Sequence, residues 1–391
     1  MKELYFSLDE FGVRLANTKK AMQERGIDVL LIEDPANMNY LTGFDSWSFY
    51  VHQGLIVIAD AEQPIWWGRG QDSNAARITS YLAEENIRAY EDTYVNNPEK
   101  HPYSFVADIL REKRQERARI GTEMDHYYYT AKCQQVIERE LPGATFIDAT
   151  NIVNWVKIIK SPAEIDYMKK AALIAEKVMQ VAYDSVAVGV RQCEAAGEVA
   201  KAQYSGTKEY GGDYSSIIPL MPAGARTSTP HLSWTDKPYN QGDTVILELS
   251  GNFRRYHCPL ARTMILGEVS QKVKDLAATV IEGLCAALDA IRPGMTCEEV
   301  ERVWAKSIAK SGFIKDSRIG YPMGLGYPPD WGEHTASLRP GDKTILQPGM
   351  CFHMIPGIWL DDCGVEISEP FYVTEKGAVC FCGYPRELLT K

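Results

Sequence analysis

The chain has no apolar run approaching the ~20 residues that a membrane helix needs. Its opening segment, MKELYFSLDEFGVRLANTKK, is polar and periodic and lacks the apolar core of a signal peptide. A basic excess is also missing. Against 52 Asp and Glu stand 42 Lys and Arg, a net charge of −10, so no cationic face for nucleic acid is expected. Nine cysteines are scattered and odd in number. Cys380 and Cys382 are close, but no second close pair completes a zinc-type spacing. Reduced thiols in a cytoplasmic protein are the expectation. No repeat or low-complexity tract interrupts the chain. With 45% hydrophobic and 24% charged residues it reads as globular, and 391 residues exceed one ordinary core. Two domains are expected.

Residues 1–160 read as an α/β domain. Val29 to Ile32 is a short apolar run ended by a turn signal, Asp34-Pro35, and Gly54 to Ala59 reads as a second buried strand. Helical patterns at Phe11 to Arg25 and Ser104 to Arg117 alternate with these strands, which predicts a partly parallel sheet. Residues 161–391 form the second domain. It opens on Ser161-Pro162-Ala163-Glu164, with Ser as N-cap, Pro at the first helical position and Glu as capping-box partner. Ile165, Met168, Ala172, Ala175 and Met179 then recur on one face. Arg292 to Thr296 breaks before another helix, and Leu346 to Trp359 and Val365 to Thr374 read as late strands.

The stretch Asp243 to Thr263, DTVILELSGNFRRYHCPLART, carries the most information. A strand runs into Glu248, is expected to turn at Gly251, and returns through Tyr256 to an Arg-Thr pair. Four further segments stand with it: Pro230-His231, GYPMG at Gly320 to Gly324, LQPGMCFHMIPGIW at Leu346 to Trp359, and GVEISEPFYVTEKG at Gly364 to Gly377. Together they resemble the creatinase/aminopeptidase P family, whose catalytic domain has the pita-bread fold. The resemblance covers essentially the whole chain and implies an α/β (α+β) architecture. An N-terminal creatinase-like domain would precede a C-terminal catalytic one. Metal-dependent members carry ligands at five positions, occupied here by Glu248, Pro259, Tyr321, Ile355 and Ser368. One carboxylate cannot hold a hard divalent ion, which wants several oxygens or a carboxylate with imidazoles. The resemblance therefore points to the metal-free branch, with no metal or other cofactor.

His231 and Glu248 resemble the catalytic pair of that branch. Strand alternation adds Glu366, on the face of Ser368, and His353, on the face of Ile355. A paired strand carboxylate and a packed structural histidine are the plainer readings of these two. Tyr321 is a third candidate for substrate contact. In the first domain GFDSWSFYVHQG (Gly43 to Gly54) and WWGRGQD (Trp66 to Asp72) resemble segments of the ectoine hydrolases, a bacterial group within the metal-free branch. Phe49 keeps an aromatic that creatinase also has there. Val51 falls where creatinase has Arg, which weighs against creatine. Trp47, Phe49, Tyr50, Trp66 and Trp67 could offer faces to an amidinium, although several are expected to pack the core.

The resemblance implies hydrolysis of a cyclic amidine to acetylated 2,4-diaminobutyrates. Glu248 would act as nucleophile or general base and His231 as proton donor. It also implies a homodimer in which the segment around Phe49 completes the partner's site. No nucleic acid or membrane partner is expected, and a complex with a downstream deacetylase is left open. Three rivals stand beside this reading: another metal-free amidine or guanidine hydrolase, an inactive binding subunit, and a metallopeptidase with relocated ligands.

Overall fold

The computed structural model describes residues 2–391, and the chain divides after Lys157 into two compact units. In the first unit the order is α1 (Leu8–Glu24), β1 (Val29–Ile32), α2 (Pro35–Thr42), β2 (Gly54–Ile58), β3 (Ile65–Arg69) and α3 (Ser73–Thr79). There follow β4 (Ile87–Tyr90), α4 (Pro102–Glu112), β5 (Arg119–Thr122), α5 (Ala131–Glu140), β6 (Thr145–Asp148) and α6 (Ile152–Lys157). The strands make one sheet in the order β4-β3-β2-β1-β5-β6. It is partly parallel: β1 runs parallel to β5 and antiparallel to β2. Every residue of β1 and β2 is buried, which is why both read as unbroken apolar runs.

Two local expectations fail here for identifiable reasons. Asp34-Pro35 starts a helix instead of a turn: the Asp34 carboxylate accepts from the Ala36 N–H at 2.9 Å and Pro35 occupies the first position of α2. The helix expected to reach Arg117 stops at Glu112, because Arg114 adopts a left-handed φ of 58°.

The second unit begins with α7 (Pro162–Ser185), α8 (Gln192–Ser205), β7 (Thr244–Phe253), β8 (Tyr256–Ile265), α9 (Gln271–Ala290) and α10 (Cys297–Ile308). It continues with β9 (Gly320–Tyr327), β10 (Asp330–Gly332), β11 (Cys351–Met354), β12 (Ile358–Trp359) and β13 (Gly364–Val365). It ends with β14 (Glu369–Thr374), β15 (Gly377–Cys380) and β16 (Leu389–Thr390). The main sheet runs β15-β14-β11-β9-β8-β16, with β7 paired to β8 and β10 to β9. The capping box at Ser161 and Glu164 forms in full. The late strands are shorter than expected. β11 stops at Met354, before Pro356, and the segment 366–368 leaves the regular ladder between β13 and β14. No helix among the described residues is long and apolar enough to cross a membrane.

Gly251 does not make the expected turn. β7 runs straight through it, and the chain reverses at Arg254-Arg255, both with φ above +45°, at 50° and 67°. What Gly251 provides is close approach. A Cβ there would stand 2.1 Å from Ala171 O and 2.2 Å from Ala175 N, so β7 and α7 touch backbone to backbone. Gly251→Ala is expected to cost about 1–3 kcal/mol or more by overpacking, read as a lower urea midpoint; an unchanged midpoint would mean that α7 has room to shift.

Candidate active site

Glu248 lies at the centre of β7, with β8 along one edge and the Leu220 segment along the other. Its N–H donates to Leu220 O at 3.0 Å and its carbonyl accepts from the Leu220 N–H at 3.1 Å. Ala261 is its cross-strand partner. The residue is only 6% exposed. Burial and then the negative charge of Asp330 push its carboxyl up to about 7.

Glu366 is fully buried, and neither of its carboxyl oxygens finds a hydrogen-bond donor in protein side chains or backbone. The group that faces it is the Glu248 carboxyl. Two ionised carboxylates only accept, so they bond only when one carries a proton. Burial, and then the charge of Glu248, hold Glu366 well above the ordinary carboxylate range. The two titrations are linked, and burial favours the form of the pair that shares a proton. β8 positions Glu366 through Thr263: the Glu366 N–H donates to Thr263 Oγ1 at 2.8 Å, and that hydroxyl donates to Glu366 O at 2.9 Å.

Beside the pair runs a chain of neutral groups. Ser368 Oγ accepts from the Ala261 N–H at 2.7 Å and meets His353 Nε2 at 2.7 Å. His353 Nδ1 meets the Tyr321 hydroxyl at 3.1 Å, which also accepts from Trp331 Nε1 at 2.9 Å. Burial, then the charges of Arg262 and Arg318, lower His353 to about 3, so it is neutral at physiological pH. Arg262 anchors this region. It is fully buried, pairs with Glu369 at 2.7 Å and donates to the carbonyls of Ala261, Ser368, Tyr384 and Pro385.

Three groups not singled out from the sequence border the pair. Lys315 Nζ sits over the Trp359 ring at 4.8 Å and donates to Gly357 O at 2.8 Å. Burial lowers it to about 8, with Glu366 pulling the other way. The Trp359 indole N–H is buried without a partner. Asp330, ion-paired with His334 at 3.0 Å, contributes the negative charge that Glu248 feels. Lys315 and Asp330 sit outside the short sequence segments that carry the resemblance, so only long-range packing identifies them.

The other expected site residues are placed differently. His231 lies in an exposed turn of the second unit, after a short helical turn at Gly224–Ser228. Trp47 and Tyr50 are 57% and 69% exposed in the first unit, and Phe49 packs on Trp47 at 4.5 Å and on Tyr128 at 5.6 Å. Trp66 and Trp67, offered above as substrate faces, are fully buried on β3 and pack the core instead. Glu248, Glu366, Tyr321 and His353 do come together.

A model of metallopeptidase family M24 matches residues 166–375, and one of the creatinase/prolidase N-terminal domain matches residues 14–159. The chain belongs to family M24. It is 40% identical to the ectoine hydrolase of Halomonas elongata over 395 residues, 99% of each chain. An uncharacterised hydrolase/peptidase of Sinorhizobium fredii is 43% identical over 391 residues, 100% of each chain. Among solved structures, a dipeptidase from Pyrococcus horikoshii OT3 superposes with a TM-score of 0.81 at 23% identity. That match covers 97% of this chain and 100% of the other. A prolidase from Thermococcus sibiricus gives 0.84 at 21% identity, covering 99% and 100%. Together with the two family models, these likenesses establish a creatinase-type N-terminal domain followed by a pita-bread domain.

The residues of this M24 chain do not fit the family's metal centre. Pro259 and Ile355 offer no ligand atom. The Tyr321 and Ser368 oxygens are taken up by His353, Trp331 and the Ala261 N–H. Only Glu248 remains of the five positions, and it faces another carboxyl.

The shared proton makes a stability prediction. The folded pKa values of Glu248 and Glu366 lie above the ordinary 4.5. Their contribution to stability is complete below ~4.5 and is lost as pH rises through about 7 and beyond. Glu366→Gln keeps the shape and a donor but removes one titrating group. Its Tm should therefore fall less than that of wild type between pH 6 and 9; equal slopes by calorimetry would rule out the carboxyl pair.

Proposed function

We propose that this M24 chain hydrolyses ectoine, opening its cyclic amidine to N-acetyl-2,4-diaminobutyrate without a divalent metal. The buried Glu248–Glu366 pair carries the reading, and the full-length likeness to an ectoine hydrolase supports it. Ectoine's amidinium is a delocalised cation, and its carbon is already electrophilic. A dication at the site would repel it, whereas a carboxylate attracts it. Substrate binding favours the ionised form of Glu248, so the shared proton settles on Glu366 as the amidinium arrives.

Glu248 then attacks the amidine carbon or activates a water that does so. The oxygen of water becomes the carbonyl oxygen of the acetyl group. The ring C–N bond breaks, and its electron pair leaves on nitrogen as the amine. His231 supplies the proton that nitrogen needs. Its exposed turn suits a group that closes over bound substrate. Glu366 and Lys315 hold the charge balance beside the reacting carbon. Tyr321 and His353 supply neutral hydrogen-bonding groups along one wall.

Ectoine, creatine and an X-Pro dipeptide, each followed by NMR with and without chelator, test the substrate and metal together. Ectoine should be consumed with kcat unchanged after exhaustive chelation. A loss of kcat restored by Mn²⁺, Zn²⁺ or Co²⁺ would overturn the metal-free step. Glu248→Gln should lower kcat by roughly 10²–10⁴-fold or more, and turnover within tenfold of wild type would remove Glu248 from the chemistry.

The exposed aromatic segment Trp47 to Tyr50 needs a binding role. A two-fold dimer is the commonest closed assembly, and here the segment would complete the partner's pocket. Mixing Phe49→Ala subunits with Glu248→Gln subunits tests this, because a heterodimer then holds one site with neither defect. Activity should rise above both parents. Failure to recover after confirmed subunit exchange would place each site within one chain.

A further inference from the structure

The first unit carries a second concentration of chemistry that this function does not use. His52 closes the aromatic segment just before β2, His101 precedes α4 as its N-cap, and Cys133 lies in the first turn of α5. One ligand atom from each lies within 4.8 Å of the other two, the sole such trio of His, Cys, Asp or Glu among the described residues. We propose that His52, His101 and Cys133 bind a zinc-like divalent ion, with a fourth position open to the adjoining cavity.

The distances fit the ion. A tetrahedral centre with metal–sulfur near 2.3 Å and metal–nitrogen near 2.0 Å sets a sulfur–nitrogen edge of about 3.5 Å. Cys133 Sγ stands 3.6 Å from His52 Nδ1 and 3.8 Å from His52 Nε2, so either nitrogen is within reach of a shared ion. His52 Nδ1 is engaged by Glu33 Oε2 at 3.2 Å, which leaves Nε2 as the ligand atom and gives the carboxylate–histidine arrangement that orients metal-bound imidazoles. Glu33 is 3% exposed, and its second oxygen has no hydrogen-bond partner in the protein. A buried carboxylate so placed calls for positive charge nearby. Without an ion the His52 ring supplies it: burial lowers that ring, but its bonds to Cys133 and Glu33 outweigh burial and raise it to about 10. A divalent ion would take the place of that ring proton.

His101 is lowered to about 4, by burial first and then by the charge of His52, so the ring is neutral at neutral pH and has one nitrogen with a lone pair to give. Its Nδ1 accepts from the Tyr103 N–H at 3.2 Å. Coordination through Nε2 puts the ring proton on Nδ1 and exchanges that long bond for the metal bond. One thiolate with two imidazoles selects a borderline ion such as Zn²⁺ or Co²⁺ over Mg²⁺ or Ca²⁺.

The open position faces a cavity of about 230 Å³ lined by Tyr50, His52, Tyr94, Lys100 and His101. Glu33, His52 and Cys133 are also spaced like a nucleophilic triad. Cys133 is fully buried, however, and a second imidazole stands within ligand distance of its sulfur, which favours the metal. The ion would brace the Trp47–Tyr50 segment through His52, so its removal acts on substrate capture and on Tm and leaves kcat alone. The site does not rest on ectoine as the substrate.

Co²⁺ titration of the full-length, metal-stripped protein tests the site, because cobalt reports its ligands by absorption. One ion per chain should bind with a tetrahedral visible spectrum and a thiolate-to-metal charge-transfer band. Cys133→Ser should lose that band. His101→Ala, at a half-exposed position and expected to fold, should weaken binding at least ~10-fold. Wild type that binds no Co²⁺, a charge-transfer band that survives Cys133→Ser, or unchanged affinity in His101→Ala would each overturn the proposal.

Discussion

Two carboxyl groups buried against each other stay in place only while a proton stands between them, and the catalytic half of this chain is arranged around that requirement. Glu248 and Glu366 face each other in the second unit, and burial raises both above the ordinary carboxylate range. That pairing fixes the surroundings. Positive charge must be near enough to make ionisation reachable and far enough not to capture the pair. Lys315, held over Trp359 and tied to Gly357 O, meets both conditions.

Rigidity behind the pair comes from Arg262. Its donors are spent on one carboxylate and four carbonyls, which lock the 366–369 segment and the Tyr384-Pro385 turn onto β8. Burial first, and then the same charge, keeps His353 neutral. Pairs of this kind cost desolvation and rarely add net stability, but removing one partner strands the other. The geometry of the carboxyl pair is therefore inherited from a group that never touches it.

Much of this was readable in the sequence where the signal is local or periodic. Ser161 to Glu164 announces a capping box, and the five ligand positions announce what is missing. The position of Glu366 follows from alternation with Ser368, even though 366–368 lies outside a regular strand. Alternation persists there because the Glu366 and Ser368 N–H groups both bond to β8, at Thr263 and Ala261. What was not readable depends on contacts far apart in sequence. Gly251 resembles a turn residue until α7 is packed on it. Asp34-Pro35 has the same letters whether it ends a strand or caps a helix. Trp66 and Trp67 look available until β3 is found to be buried. Cys133, His52 and His101 have no motif spacing because three separate elements bring them together.

His353 has one further property. Both ring nitrogens are engaged, by Ser368 and by Tyr321, and the ring stays uncharged down to about pH 3. Moving its proton from one nitrogen to the other reverses the direction of every bond from Ser368 to Tyr321 without carrying charge through the core. In one sense the Tyr321 hydroxyl donates its hydrogen bond to the ring and shows only lone pairs outward. In the other it accepts from the ring and its own proton is free to turn toward Glu248, whose charge it already feels. The chain thus has two settings of equal charge, and they differ in whether the Tyr321 hydroxyl donates to His353 or keeps its proton for another acceptor.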